Sequence, residues 1–360
     1  MEFGISEEQS LLKESIRRYL EDSSALERIH RFVDTGEDRA ADIWDGLCEI
    51  GLPGLLIDEK HGGVGLDLID AALAAETLGN HIAPVPFVST MVTAPLAIAS
   101  AGSETQQSRW LPELATGSVI AGAALTEAVS SRLDAQVQWD GAALNGKALF
   151  VLDFEADIYL VADINRALYL VEANASGLER RLHNTIDKTR RVGELLFNDV
   201  QADHLPGSTD PDVCTGIIDA ARIVLAADTL GAAQNMLEQA IAYSLQREQF
   251  GRVIGSFQAV KHMCAEMAAE LEPCRAMVWY AAYAFDSIPD EARLTACHTK
   301  AHLSEVGTFV AKTATEVHGG IGFTEELGLH YWFKRIGVNR QLLGGPEMVR
   351  EEAAKLQNLI

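Results

Sequence analysis

One long helical segment constrains this chain more than any other feature of its sequence. From Asp219 to Gln246, apolar residues recur at intervals of three and four, as in a helix with a buried face. No proline lies between Pro211 and Pro273, so nothing in this stretch forces the helix to end early. A helix of this length needs neighbours to bury its apolar side. The sequence therefore predicts a group of long helices packed together.

The segment after that helix, Arg247–Gln258, carries side chains suited to a phosphate and a flat ring. It reads REQFGRVIGSFQ. The guanidinium of Arg247 presents a planar fork of donors that matches phosphate oxygens, and the ring of Phe250 can cover another ring. Gly251 allows a turn that other residues resist. The alternative is a helical hairpin with a solvated arginine, but two later stretches, EVHGGIGF and QLLGGPEMVRE, favour a ligand site.

The composition excludes several classes of function. The chain has 360 residues, and its 52 acidic against 29 basic side chains give a net charge of −23. Such a charge argues against binding to nucleic acid or to an anionic membrane, because both need clustered lysine and arginine. The first residues lack the basic and apolar regions of a secretory signal, so we expect a cytoplasmic protein.

The cysteine and histidine residues do not suggest a metal site. Five cysteines are scattered through helical patterns, which is typical of buried thiols in a reducing compartment. His298 and His302 share one helix face, but the residues between them lack the glutamate of a zinc-protease helix. We therefore expect packing or surface histidines and no bound metal.

The apolar periodicity divides the chain into three segments. Residues 1–117 have helical spacing, and Ser6 with Gln9 predicts a capping box at the first helix. Residues 118–207 contain short alternating runs separated by Asp-Gly, Asn-Gly and polar loops, which indicate a small antiparallel barrel or sandwich. Residues 208–360 return to helical spacing. The predicted fold class is therefore α+β, with helical domains on either side of a β domain.

Several stretches resemble the acyl-CoA dehydrogenase family, in the right order and at the right separation. The loop IGLPGLLIDEKHGGVG resembles the family's loop after its second helix, and WLPELATGSVIAGAALTE resembles the passage into its middle domain. The most specific pieces are RxxFGxxIxxFQ and HGGIGFTEE. The resemblance covers nearly the whole chain. It implies a flavoenzyme fold whose C-terminal domain is a four-helix bundle.

The resemblance also implies an FAD that lies between subunits. In that arrangement Arg247, Phe250 and Gln258 reach the FAD of a neighbouring subunit, with the arginine at the pyrophosphate. Gly319 and Gly320 let the backbone approach the adenosine diphosphate part closely. Thr126 remains from the segment that lines the flavin and the acyl chain.

The family's reaction needs a carboxylate that this chain lacks at both expected positions. The base removes the α-proton of an acyl-CoA thioester while flavin N5 accepts a hydride from the β-carbon, and it must lie about 3 Å from that proton. In the family this glutamate lies in the loop before the last helix, or on the long helix before an arginine. Gly344, followed by Gly345, occupies the first position, and Ala221, followed by Arg222, occupies the second. We expect no catalytic residue here, and Arg222, Gly344 and Gly345 to be remnants of a substrate site.

Two carboxylates near these positions, Glu347 and Asp228, remain as substitute bases. An exposed glutamate in the first turn of a helix explains Glu347 equally well. The flavin cradle departs from the family as well, because AVSSRLD follows Thr126-Glu127 in place of a Gly-Ser-Asp passage. Leu152 replaces a threonine beside the flavin ring, and Glu316 places a carboxylate near the phosphates.

Three hypotheses follow. In the first, the chain is the non-catalytic partner in a heterotetrameric (α2β2) acyl-CoA dehydrogenase whose substrates include steroid side-chain thioesters. The homologous subunit would carry the glutamate. In the second, the chain is a homo-oligomeric flavoenzyme that uses Glu347 as a displaced base. In either case an electron-transfer flavoprotein or similar acceptor takes the electrons. In the third, it is a flavin-free scaffold. We favour the first, because base, flavin cradle and diphosphate contact change together while the arginine segment is intact.

Overall fold

The computed structural model describes residues 4–130 and 135–360 and begins with a helical part. The capping boxes at Ser6 and Ser103 are both present, with each hydroxyl accepting a backbone N–H of the first turn. A short π-helical turn, Val88–Thr93, leads into the fifth helix. The helices of this part are α1 (Glu7–Ser23), α2 (Leu26–Thr35), α3 (Ala41–Glu49), α4 (Leu68–Asn80), α5 (Ala94–Ala101) and α6 (Glu104–Ala115).

The middle part is one eight-stranded sheet. The strand order is β6-β7-β3-β1-β4-β5-β8, and β2 pairs with β3 off this path. A short helix, α7 (Thr126–Val129), follows the first strand. The strands are β1 (Ala121–Ala124), β2 (Val137–Trp139), β3 (Leu144–Leu152), β4 (Ile158–Ala162), β5 (Leu168–Glu172), β6 (Leu178–Leu182), β7 (Val192–Val200) and β8 (Asp203–His204).

One strand pair departs from the predicted antiparallel arrangement. β1 lies between β3 and β4, antiparallel to β3 but parallel to β4. The connection from β3 to β4 is short and reverses the chain, so these two strands run in opposite directions. A strand inserted between them must be parallel to one of the two. The sequence did not indicate this because β1, with the sequence AGAA, lacks the β-branched and aromatic residues that mark strands.

The C-terminal part is helical, as predicted. The long helix, α8, begins at Pro211 and continues without a break to Gln246. The predicted four-helix bundle consists of α8 to α11, and α12 packs on α10. The elements are α8 (Pro211–Gln246), β9 (Glu248–Gln249), β10 (Arg252–Val253), α9 (Gln258–Ser287), α10 (Pro289–His318), α11 (Leu329–Gln341) and α12 (Pro346–Leu356).

The N-terminal and C-terminal helical parts meet where α4 crosses α8. Two glycines lie at this crossing, one on each helix. A Cβ on Gly231 would overlap the carbonyl oxygen of Glu76, and a Cβ on Gly79 would overlap that of Asp228. The two backbones therefore approach more closely than any other residue permits. One continuous apolar core extends from these helices into the sheet.

Three domains with the bounds 1–117, 118–207 and 208–360 remain a prediction. The last helix before the sheet ends at Ala115, and the first helix after it begins at Pro211. Among the described residues, no helix combines the length and the apolar character needed to cross a membrane.

Candidate functional site

An exposed hairpin joins α8 to α9 and carries the first group of predicted site residues. We call residues 247–258 the arm. Its tip is Phe250-Gly251, and both residues have positive φ, +53° and +76°. The ring of Phe250 is 93% exposed and meets Phe257 edge-on, with 6.2 Å between ring centroids. The guanidinium of Arg252 stacks on the ring of Phe257, 3.9 Å from its centroid. The arm therefore presents a large aromatic side chain to whatever lies beyond it.

Arg247 lies at the base of the arm with its side chain exposed. Its backbone is fixed, because its N–H donates to Tyr243 and its carbonyl accepts from Ile254. In the part of the chain that the structure describes, its guanidinium forms no ion pair. Gln258, also exposed, begins α9. The arm thus offers charged and amide donors on a fixed backbone, which suits a diphosphate.

The glycines of the HGG stretch lie beside the base of the arm. Tyr243 of α8 stacks on His318 at the end of α10, with 4.7 Å between ring centroids. Burial lowers the pKa of His318, so this ring is neutral at pH 7. Gly319 has φ +65°, and neither it nor Gly320 has an atom within 4 Å of where a Cβ would lie. The bare backbone there leaves room for the close approach of a ligand.

Glu316 is exposed on α10, three residues before Gly319. It belongs to the same end of the bundle as the arm. The structure therefore places six predicted cofactor residues at one end of the molecule: Arg247, Phe250, Gln258, Glu316, Gly319 and Gly320. The seventh, Thr126, is buried at the start of α7 in the sheet part.

Arg222, the main remnant of the substrate site, is fully occupied within the chain. Its guanidinium is buried and donates to both carboxylate oxygens of Glu352, at 2.8 and 2.9 Å. It also donates to Asp219 at 3.2 Å and to the carbonyl of Leu343 at 3.0 Å. Burial opposes the charge of Glu352, but the hydrogen bonds and charge of Arg222, together with the charges of Arg293 and Arg166, lower its pKa. The sequence analysis missed Glu352, which lies in an ordinary charged stretch of α12.

The glycine at the family's glutamate position lies directly against this pair. Gly344 has φ +106°, and Leu343 before it has φ +54°. A Cβ on Gly344 would lie 3.1 Å from Cγ2 of Val349 and 3.3 Å from Nη2 of Arg222. Ala221 is fully buried in α8. Neither position can provide a base, and the loop around Gly344 has little room for one.

The two substitute carboxylates are both engaged elsewhere. Glu347 is in the first turn of α12 with an exposed side chain, and its carboxylate pairs with Arg340 at 3.0 Å. Backbone and arginine hydrogen bonds lower its pKa, which weakens it as a base. Asp228 is buried between Arg190 at 3.0 Å and Arg335 at 3.2 Å. Burial opposes its charge, but the two arginines outweigh this and lower its pKa.

Arg335 of α11 joins all three parts of the molecule. It donates to Asp187 and Thr189 in the β6–β7 connection, to Asp228 of α8, and to the carbonyl of Ala83 after α4. We call the buried set Asp187, Thr189, Arg190, Asp228, Arg335 and Asn339 the junction network. The sequence analysis did not predict it, although Arg and Asp residues inside apolar helical stretches are a signal for such a network, since buried charges occur almost only in pairs.

The end of β3 is buried. Leu152, at the position where the family has a threonine beside the flavin ring, is 2% exposed. Its neighbour Asp153 accepts a hydrogen bond from the backbone N–H of Ser89 at 2.8 Å. Residues 131–134, where part of the Gly-Ser-Asp passage is expected, lie outside the described residues. Within residues 4–130 and 135–360, no group of histidine, cysteine, aspartate and glutamate could hold a metal ion.

The two groups of site residues are far apart. At 1.5 Å per residue, the path along α8 from Arg222 to Arg247 measures about 37 Å. The structure therefore brings the arm and the HGG glycines together and brings Arg222, Ala221 and Gly344 together. It does not bring one group to the other. The exposed group fits a diphosphate, whereas Leu152, at the position beside the flavin ring, is buried and has no hydroxyl to offer.

Comparison with known proteins agrees with the fold and with the motifs. Models of the acyl-CoA dehydrogenase N-terminal and C-terminal domains match residues 6–118 and 212–356. The acyl-CoA dehydrogenase IpdE2 of Mycolicibacterium smegmatis is 31% identical, over 98% of this chain and 99% of its own length.

Solved structures are similar over the same length. A variant of the steroid ACAD Tcur3481-Tcur3483 is 30% identical with a TM-score of 0.88, and 98% of each chain is covered. The ChsE4-ChsE5 complex from Mycobacterium tuberculosis has the same fold, with 24% identity, a TM-score of 0.92 and full coverage of both chains. The chain belongs to the acyl-CoA dehydrogenase family, whose members are oxidoreductases that act on CH–CH bonds.

Proposed function

We propose that this chain is the non-catalytic subunit of an α2β2 acyl-CoA dehydrogenase. Its arm completes the FAD site of a homologous subunit that carries the catalytic glutamate. One observation carries the proposal. In a single chain, the exposed cationic arm is intact, whereas the site around Arg222 that should contain the base has none. Arg222 is neutralised by Glu352, and Gly344 and Ala221 supply no carboxylate.

The distance between the two groups explains why the arm acts on another subunit. A separation of about 37 Å along α8 prevents Arg247 from serving a ligand held near Gly344 of the same chain. The arm points away from the body of the chain, as the exposure of Phe250 indicates. A partner that docks at this end would receive Arg247 and Gln258 at its diphosphate and Phe250 over a ring.

The chemistry is divided accordingly. An FAD bound at the shared site would be the acceptor for the hydride from the β-carbon. The partner supplies the base for the α-proton. This chain binds and orients through Arg247, Phe250 and Gln258, and leaves the backbone of Gly319 and Gly320 open. None of its residues at the family's glutamate positions moves a proton.

The relatives support the finer parts of the proposal. One similar structure is described as a steroid ACAD, and another is a complex of two different chains. We extend these properties to this chain: its substrates are acyl-CoA thioesters that include steroid side-chain thioesters. An electron-transfer flavoprotein or similar acceptor removes the electrons, and the assembly is cytoplasmic. The displaced-base hypothesis is not supported, because Glu347 is exposed and paired with Arg340.

The decisive experiment compares the visible absorption spectrum of the chain purified alone with that of the chain co-expressed with a glutamate-bearing homologue. We expect a colourless or insoluble chain alone, and a yellow, active complex with the partner. If the chain alone is yellow and its flavin bleaches when acyl-CoA is added, the proposal is wrong. A complex that forms without flavin would favour the scaffold hypothesis.

A further inference from the structure

A second candidate site lies far from the arm, at the turn that connects β6 to β7. The pocket there has a volume of about 300 Å³. We call it the β6–β7 pocket. Its polar lining consists of His183, Asn184, Thr185, Lys188, Arg190 and Arg191, with Val33 and Leu182 at its edges. No carboxylate is among these lining residues. We infer that the β6–β7 pocket binds a small phosphate-bearing anion.

The charges around the pocket favour an anion. The chain has a net charge of −23, so most of its cations have acidic neighbours available. Nevertheless, among the described residues neither Lys188 nor Arg191 forms an ion pair. Arg191 instead donates to the backbone carbonyl of Glu37 and stacks on Phe32. Two cations without carboxylate partners therefore border one concave surface, which is an arrangement that attracts anions.

A third cation, Arg190, is only 8% exposed. One of its terminal nitrogens pairs with Asp228 at 3.0 Å, but its buried Nε has no hydrogen-bond partner. Arg190 also lines the pocket, and its charge adds to those of Lys188 and Arg191. Phosphate oxygens suit guanidinium and ammonium donors of this kind.

The nearest carboxylates are paired with arginines or line a different cavity, since Asp187 pairs with Arg335 and Asp228 pairs with Arg190. Asp38, Asp153 and Glu155 line a smaller cavity that also borders Arg190 and Arg191. These carboxylates do not line the β6–β7 pocket, so they do not occupy it. The pocket is also large enough for a diphosphate. The ring of His183 lies beside the ring of Phe150, with 6.2 Å between their centroids, and adds an aromatic surface at the edge of the pocket.

The test is calorimetric titration with inorganic pyrophosphate at low salt, using the protein in the form in which it is purified, alone or in its complex. We expect binding that Lys188→Gln weakens about tenfold, since it removes one charge-assisted contact. Lys312→Gln is the matched control, because Lys312 is equally exposed but lies on α10. It should leave the affinity unchanged. Equal affinities in all three proteins, or no binding at all, would overturn the inference.

Competition identifies the source of the phosphate. If coenzyme A displaces pyrophosphate and Lys188→Gln weakens both ligands equally, the pocket takes the phosphates of a nucleotide. If pyrophosphate binds in a Lys188-dependent way and coenzyme A does not, the pocket takes a free inorganic anion. Both outcomes support the inference. Neither depends on the proposed function, because no flavin or turnover is measured, and binding at the arm would not respond to Lys188.

Discussion

Asp219 is buried beside Arg222, and burial raises its pKa to about 6. In the unfolded chain the pKa of an aspartate is about 3.9, so the folded chain holds this proton more tightly. The contribution of Asp219 to the free energy of unfolding therefore falls as pH rises from about 4 to about 6, and stays low at pH 7.

We predict that Asp219→Asn stabilises the protein at pH 7 by up to about 3 kcal/mol, and flattens the pH dependence between pH 4 and 6. Arg222 keeps its partner Glu352 in this variant. The measurement is the urea midpoint of both proteins across this pH range. If the urea midpoint depends on pH equally in the two proteins between pH 4 and 6, the carboxyl of Asp219 does not titrate in this range.

Restoring the family's glutamate should not restore catalysis. Gly344 has φ +106°, which side chains rarely adopt, and a Cβ there would lie 3.1 Å from Val349. We predict that Gly344→Glu lowers the melting temperature and gives no turnover of acyl-CoA by this chain alone, because the buried Leu152 remains where the family has a threonine beside the flavin ring. Bleaching of a bound flavin by acyl-CoA in this variant would show that the flavin cradle is usable.

At the scale of residues, the missing base was predictable but its consequence was not. The absence of glutamate at Gly344 and Ala221 follows from motif positions. The neutralisation of Arg222 by Glu352 does not, because the two lie 130 positions apart and the acid sits among other charged residues of α12. Sequence patterns record periodicity along one element, whereas this pair depends on how two helices are placed.

At the scale of elements, the crossing of α4 and α8 depends on two glycines, and substitution tests this dependence. We predict that Gly231→Ala strongly destabilises the protein, because its methyl group would overlap the backbone of α4. Gly337→Ala is the control, since Gly337 is inside α11 with no atom within 4 Å of its Cβ position. That change should stabilise by about 0.5–1 kcal/mol. Similar melting temperatures for the two variants would contradict the close packing of α4 on α8.

The arm is an element whose removal should affect cofactor retention more than stability. We predict that Arg247→Ala releases FAD from the complex, because it deletes a charge-assisted contact worth about 1.5–3 kcal/mol. Arg31→Ala, an exposed arginine on α2, controls for the loss of one charge. The flavin-to-protein absorbance ratio after gel filtration measures the effect. Unchanged flavin content and activity in the arm variant would count against a shared site.

Elements with strong local patterns were predicted, and those without were not. The long helix α8 and the strand β7 follow from apolar periodicity and β-rich runs. β6, with the sequence LERRL, is an exposed edge strand whose charges resemble those of a loop. It forms because it pairs along its length with β7, a partner that no local pattern identifies.

The three parts of the whole molecule are held together by Arg335, which contacts each of them. We predict that Arg335→Met costs about 3–5 kcal/mol, because it leaves Asp187 and Asp228 buried with one cation fewer. Arg350→Met is the control. Its pair with Glu305 is half exposed, and breaking such a pair costs about 1 kcal/mol or less.

Thermal unfolding followed by circular dichroism compares the two variants. Equal shifts in melting temperature would show that the junction network does not connect the three parts energetically.

The α+β class and the order of the segments were evident from composition and apolar periodicity alone. The network was not, because it joins residues from the β6–β7 connection, α8 and α11 that have no common sequence pattern.

The thiols give this protein a practical property. Burial raises the pKa of all the native cysteines, and the affected residues are Cys48 and Cys274 (to about 11), Cys214 and Cys297 (to about 12) and Cys264. With a pKa of 11, about one thiol in ten thousand is ionised at pH 7, and only the thiolate reacts with maleimides. A single cysteine introduced by Phe250→Cys, where the side chain is 93% exposed, would therefore be labelled first. A fluorophore at that point reports directly when a second subunit covers the arm, without removal of any native thiol.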